Sequence, residues 1–123
     1  MKTMLVIEDN ADNMELITFI LKSNGYRTLT AETGQQGFDL ALAARPDLII
    51  LDIQLPDMDG LKVLQMIRDS EVIGPIPVIA MTSFAMAGDR EQLLAAGCTG
   101  YIEKPIDPAN VVRQIQTIIG DGL

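Results

Sequence analysis

The stretch Leu48-Ile49-Ile50-Leu51-Asp52 decides the fold, because it places four consecutive apolar residues directly before a carboxylate. An unbroken apolar run of this length is typical of a strand buried on both faces, which occurs in parallel sheets covered by helices. The run Met4-Leu5-Val6-Ile7 has the same character and leads into Glu8 and Asp9. Two such strands predict the centre of an α/β sheet whose carboxyl edge carries acidic side chains.

Outward from these two runs, the chain alternates short apolar segments with segments of helical periodicity. Right-handed connections between such units give a doubly wound sheet. We therefore predict an α/β fold: a five-stranded parallel sheet in the flavodoxin-like order 2-1-3-4-5, with five helices. Because there is no long linker or internal repeat, we expect residues 1–123 to form one domain, with no effector domain. The predicted strands are 4–7, 27–31, 48–51, 77–81 and 100–103, and the predicted helices are 12–24, 34–44, 61–68, 89–96 and a last one from about 108.

Composition excludes several classes of function. The net charge of −8 and the isoelectric point near 4.3 argue against binding to nucleic acid or an anionic membrane, which both need a basic surface. Cys98 is the only cysteine and there is no histidine, which excludes a disulfide framework, a cysteine zinc site and serine–histidine catalysis. No apolar run approaches the roughly 20 residues of a membrane span. Glu8 and Asp9 interrupt the apolar start, unlike in a signal peptide, so we expect a cytoplasmic protein.

Polar residues follow four of the predicted strands. Glu8 and Asp9 follow the first, Asp52 the third, Thr82 the fourth and Lys104 the fifth. Because the carboxyl ends of parallel strands share one edge of the sheet, these side chains should converge. Three close carboxylates repel one another unless one is protonated or a cation is bound, and Mg²⁺ suits such ligands. A carboxylate beside Mg²⁺ and a lysine is a nucleophile of the type that forms aspartyl phosphates.

Each of these residues also has a plainer interpretation. Residues 8–10 can cap the following helix, Asp52 can begin a turn, and the Thr82 hydroxyl can belong to a turn or a helix cap. Lys104 can be an ordinary surface lysine, and Tyr101 a half-buried aromatic on the last strand. Their joint placement at successive strand ends, rather than any one residue, favours a phosphorylation site.

The residues Glu8-Asp9, the run 52–60 (DIQLPDMDG), Thr82 and Lys104-Pro105 resemble the signature of the receiver domain of two-component response regulators. The resemblance covers essentially the whole chain. It implies that Asp52 accepts a phosphoryl group from a phosphohistidine on a sensor histidine kinase or a histidine phosphotransfer protein.

The resemblance also assigns roles around Asp52. It implies that Mg²⁺ is bound by Glu8 or Asp9, mostly Asp9, together with Asp52 and the backbone carbonyl of Gln54. It implies that Lys104 pairs with the phosphoryl oxygens. A cis Lys-Pro bond at this position, which is one of the possibilities for an X-Pro bond, would re-aim the lysine side chain.

A switch follows from the same resemblance. Thr82 is expected to move to the phosphoryl group and Tyr101 to swing inward behind it, which remodels the face made by the fourth helix, the last strand and the last helix. A downstream protein would read that face, and the receiver would act as a monomer or as a phosphorylation-dependent homodimer. Gln54 and Phe84 flank the expected path of a hydrolytic water, and bulky Phe84 should slow loss of the phosphoryl group.

Other functions fit the sequence less well. A Mg²⁺-dependent phosphatase usually needs an acid/base carboxylate two residues after the nucleophile, where this chain has Gln54, and it needs a substrate cap. A pseudo-receiver would lack some of the signature residues. A flavin carrier would need amides or hydroxyls where the loop after the first strand is acidic. We therefore expect a phosphoacceptor switch rather than an enzyme.

The chain ends straight after the last predicted helix, so the simplest expectation is a stand-alone receiver that acts by protein contact. The stretches 84–89 and 97–101 look similar to stand-alone regulators of the cell-division type and also to the receivers of hybrid kinases. A fragment of a longer regulator would have the same sequence features.

Overall fold

Five parallel strands form one sheet in a computed structural model that describes residues 2–83 and 87–120. The strands are β1 Thr3–Ile7, β2 Arg27–Ala31, β3 Leu48–Asp52, β4 Val78–Thr82 and β5 Gly100–Glu103. Their order is β2-β1-β3-β4-β5, as predicted, so β3 is the central strand and β1 and β4 lie on either side of it. In the register, Ile7 pairs with Leu51, Asp52 with Met81, and Thr82 with Glu103.

Helices cover both faces of this sheet, which explains the unbroken apolar strands. Alternate β3 residues pack on opposite sides, with Ile49 in one apolar cluster and Ile50 in the other. The helices are α1 Ala11–Ser23, α2 Gly34–Ala44, α3 Gly60–Asp69, α4 Ala87–Ala95 and α5 Val111–Ile119. The first cluster includes side chains of α2, α3 and α4, and the second includes side chains of α1 and α5.

Capping residues fix the helix ends. The Asn10 side chain accepts a hydrogen bond from the Asn13 amide at 2.9 Å and begins α1, so the predicted cap exists beside the acidic pair. Gly25 follows the carboxyl end of α1 with φ +88°, a conformation that glycine adopts without strain.

The last helix begins later than predicted. Residues 108–110 form a turn and α5 starts at Val111. The Asp107 carboxylate accepts hydrogen bonds from the Ala109 amide at 3.1 Å and from the Asn110 side chain at 2.7 Å. This local side-chain bonding stabilises a turn in place of the first helical turn.

No helix in the described part of the chain combines the length and the apolar composition that crossing a membrane requires.

Candidate functional site

Three carboxylates meet at the carboxyl edge of the neighbouring strands β1 and β3. Glu8 follows β1 and Asp52 ends β3. Glu8, Asp9 and Asp52 each offer an oxygen within 4.8 Å of the others. Glu8 and Asp52 are buried, with 0% and 2% of their surface exposed, whereas Asp9 is exposed. The cluster therefore has two buried members and one that faces solvent.

Lys104 extends from the end of β5 into this cluster. Its Nζ lies 2.9 Å from Oε1 of Glu8 and 3.1 Å from Oδ2 of Asp52. Its backbone amide donates to the Thr82 carbonyl at 2.9 Å, which joins the ends of β4 and β5. The Lys104–Pro105 peptide bond is cis. One ammonium group thus faces two buried carboxylates.

Burial and the crowding of charged groups shift the pKa values of Glu8 and Lys104. The pKa of Glu8 is raised to about 7, mainly by burial and then by its interactions with Asp52, while its interactions with Lys104 oppose the shift. Burial alone would lower the pKa of Lys104, but the hydrogen bond to Glu8 and the charge of Asp52 outweigh it, so the net shift is upward. The second carboxylate oxygen of Glu8 is buried and has no hydrogen-bond partner among the described residues. Crowded negative charge with a spare buried oxygen is the environment that a hard divalent cation would relieve.

The loop after Asp52 folds back tightly toward β3. The Asp52 Oδ1 accepts a hydrogen bond from the Gln54 amide at 3.0 Å, and the Gly60 amide donates to the Ile53 carbonyl at 2.9 Å. A Cβ at Gly60 would lie 2.5 Å from the Ile53 Cα, so this close approach requires glycine. The Asp59 side chain accepts from the Leu61 amide at 2.9 Å and caps α3.

Asp57 ties the same loop to α2, a role that its place in a turn-rich stretch did not predict. Its two carboxylate oxygens accept hydrogen bonds from the amides of Gly34 at 2.8 Å and Gln35 at 3.0 Å. These amides lie at the amino terminus of α2, where they have no acceptor within the helix and where a negative charge is favourable. No local sequence pattern predicts this contact, because Asp57 lies 22 to 23 positions from its partners.

Thr82 and Tyr101 lie on the neighbouring strands β4 and β5, with Thr82 at the carboxyl edge and Tyr101 two positions before the end of its strand. Thr82 is buried at the end of β4, and with Gln54 it lines a cavity of about 370 Å³ between the β3–α3 loop and α4. Tyr101 is half-buried on β5. Phe84, which the sequence predicts to slow phosphoryl loss, lies outside the described residues. The structure thus brings together Glu8, Asp9, Asp52, Thr82 and Lys104, with Gln54 beside them.

Comparison with known proteins gives a consistent result. Residues 4–116 match the family described as the response regulator receiver domain. The polar-differentiation response regulator DivK of Brucella anthropi is 42% identical over 120 residues, which cover 98% of each chain.

Solved structures agree in fold. The receiver domain of the sensor histidine kinase PA1611 from Pseudomonas aeruginosa superimposes with a TM-score of 0.87 and 38% identity, over 97% of this chain and 98% of the other. That structure has a magnesium ion coordinated in its active site cleft. The chemotaxis response regulator CheY4 of Vibrio cholerae gives a TM-score of 0.91 at 25% identity, over 96% and 98% of the two chains.

Proposed function

Because this chain belongs to the response regulator receiver domain family, we propose that Asp52 is the residue that accepts the phosphoryl group in its phosphorelay. The observation that carries the proposal is the buried Asp52 carboxylate, which lies 3.1 Å from the Lys104 ammonium and beside Glu8 and Asp9. The donor would be a phosphohistidine on a histidine kinase or a phosphotransfer protein. The cytoplasm is the compartment in which we expect this exchange, with residues 1–123 acting as one receiver domain.

The acidic cluster suits Mg²⁺. Glu8 or Asp9, together with Asp52 and the backbone carbonyl of Gln54, would hold it, and the unpartnered buried oxygen of Glu8 supports that assignment. Bound Mg²⁺ would supply neutralisation of the charge on the phosphoryl oxygens during transfer.

The transfer itself needs little covalent work from the protein. An oxygen of the Asp52 carboxylate attacks the phosphorus, the P–O bond forms as the P–N bond to the imidazole breaks, and the imidazole leaves with the bonding pair. Lys104, already 3.1 Å from Asp52, is placed to pair with the new phosphoryl oxygens. Asp52 is regenerated when water later hydrolyses the acyl phosphate, so the protein at most catalyses its own phosphorylation and dephosphorylation.

The switch acts through the end of β4 and the edge strand β5. A phosphoryl group adds about −1.5 to −2 charge and new acceptor oxygens next to Thr82. We assign Thr82 and Tyr101 as the residues that respond, and the face made by α4, β5 and α5 as the surface that a downstream protein reads. A groove of about 450 Å³ beside Tyr101, lined also by Asn110, Arg113 and Ile118, supports this choice of face. Gln54 and Phe84 stay predicted determinants of phosphoryl lifetime.

Intact-mass measurement after incubation with Mg²⁺ and acetyl phosphate tests the chemistry. The wild type should gain the mass of one phosphoryl group, and Asp52→Asn should gain none, because an amide is not a competent nucleophile here. Asp69→Asn, an exposed aspartate at the end of α3, is the matched control and should be phosphorylated like the wild type. Omitting Mg²⁺ should slow the reaction strongly.

Three results would overturn the proposal. An unmodified wild type would indicate a receiver fold that binds partners without phosphorylation. An adduct that persists in Asp52→Asn would move the phosphorylation to another residue. Rapid turnover of unrelated phosphoesters would instead favour the phosphatase alternative.

A further inference from the structure

Arg90 of α4 contacts two residues on the same face of β5. Its Nη2 lies 2.6 Å from Oε1 of Glu103, and its guanidinium carbon lies 5.2 Å from the centre of the Tyr101 ring. Tyr101 and Glu103 are two positions apart on a strand, so their side chains point to the same side. We call Arg90, Tyr101 and Glu103 the Arg90 clasp.

The clasp adjoins the proposed phosphorylation site through Glu103. Glu103 pairs in register with Thr82 and directly precedes Lys104 in the chain. The Lys104 amide is hydrogen-bonded to the Thr82 carbonyl at 2.9 Å. A displacement of Thr82 or Lys104 at the site therefore acts on the residue that anchors Arg90.

The clasp is also a weak contact. The side chains of Arg90 and Glu103 are 40% and 48% exposed, so solvent and salt screen their attraction. The Nε of Arg90 is buried, and it has no hydrogen-bond partner among the described residues. Burying a donor without a partner costs free energy, and this cost offsets part of the stabilisation from the ion pair. The clasp can therefore open at a small free-energy cost.

Little else anchors this end of α4 in the core. Within residues 90–95, Leu93 is the buried residue, whereas Leu94 is 49% exposed. An element with few buried apolar contacts changes position more readily than one with many. The clasp is thus placed to decide how α4 sits against β5.

We propose that Arg90 is a positioning residue that holds α4 and the Tyr101 ring in the resting arrangement, and that the clasp opens when Asp52 is phosphorylated. The inference rests on the proposed function of Asp52. Movement of the Tyr101 ring toward Thr82 would take the ring away from the guanidinium, so the cation–π contact belongs to the resting state. A contact made in one state alone shifts the population toward that state.

Affinity for beryllofluoride, a phosphoryl analogue, in the presence of Mg²⁺ tests the proposal. The apparent affinity for the analogue is proportional to the fraction of molecules that already have the active arrangement. Opening the clasp raises that fraction, so Arg90→Met and Glu103→Gln should each bind the analogue about three- to tenfold more tightly than the wild type. Their affinity for Mg²⁺ alone should be unchanged. Arg27→Met, on the opposite edge strand β2, is the matched control and should bind like the wild type.

Two further readouts separate positioning from general loosening of the fold. The double variant Arg90→Met/Glu103→Gln should gain no more affinity than Arg90→Met, because both changes open the same clasp. The NMR signal of the Arg90 Nε–H should shift when wild-type protein is saturated with the analogue.

Unchanged or weaker analogue binding in both single variants would overturn the proposed role of the clasp while leaving the Asp52 proposal intact. Wild-type protein that binds no analogue would instead count against the proposed function.

Discussion

The Asp57 carboxylate lies at the amino terminus of α2, where both of its oxygens accept backbone hydrogen bonds. The bonds from the Gln35 and Gly34 amides hold the pKa of Asp57 below its ordinary value of 3.8, because they favour the charged form. Since this carboxylate belongs to the loop that carries Gln54, it helps to hold the loop beside the proposed phosphorylation site in place.

The sign of the pH effect follows from that lowered pKa. A group whose pKa is lower in the folded chain contributes stability above its unfolded pKa and loses it as the pH falls through the folded value. We therefore expect Asp57→Asn to lower the melting temperature at pH 7, and the difference from the wild type to shrink as the pH falls below about 4. Asp69→Asn is the matched control. A difference that stays constant between pH 7 and pH 3 would contradict this role for the charge.

For single residues, the sequence predicts which side chains meet at the strand ends, but not which contacts are made through loops and helix faces. Glu8, Asp52 and Lys104 converge as predicted because parallel strands carry their ends to one edge. Asp57 and Arg90 reach partners through a loop and a helix face, and no local periodicity encodes those contacts. The sequence likewise leaves open which carboxylates Lys104 contacts, because that depends on the side-chain positions.

At the scale of elements, Arg68 joins α3 to two connections on the same side of the sheet. Its Nε donates to the Gly97 carbonyl at 2.8 Å, and its Nη1 donates to the carbonyls of Gly74 at 2.8 Å and Ile76 at 2.6 Å. Burial lowers the pKa of the guanidinium, which nevertheless stays charged. The forked donor geometry serves three carbonyls that lie before β4 and before β5.

Arg68→Met should destabilise the fold by about 2–4 kcal/mol, because it keeps the apolar stem but leaves three carbonyls without their charged donor. Arg68→Lys should recover part of the loss, since one ammonium cannot reproduce the fork. Urea denaturation gives the free energy of unfolding, with Arg27→Met as the control for losing a surface arginine. A loss below about 0.5 kcal/mol in Arg68→Met would show that water replaces the arginine at these carbonyls.

Element identity was predictable because the period of the apolar residues differs between strand and helix, whereas element ends depend on individual side chains. β5 begins and ends at Gly100 and Glu103, as predicted. α5 does not begin at Pro108, because Asp107 bonds to the turn that precedes Val111. The period of the apolar residues does not show whether the Asp107 carboxylate caps a helix or stabilises a turn.

At the scale of the whole molecule, negative charge is the dominant electrostatic feature. The chain carries a net charge of −8, and three of its carboxylates crowd one edge of the sheet. Two effects of Mg²⁺ on stability therefore have to be separated. Any salt screens the diffuse repulsion between surface charges, whereas a bound ion acts on Glu8, Asp9 and Asp52.

Adding Mg²⁺ at constant ionic strength should raise the melting temperature of the wild type, because a ligand that binds the folded chain alone stabilises it. The gain is about 2.7 kcal/mol when the free ion exceeds its dissociation constant a hundredfold. Asp52→Asn should melt at a higher temperature than the wild type without Mg²⁺, since one of three crowded charges is removed, and should respond less to the ion. Glu15→Gln, an exposed carboxylate on α1, is the matched control and should respond fully. Equal responses in the wild type and Asp52→Asn would mean that Mg²⁺ acts on this protein by screening and that the cluster does not bind it.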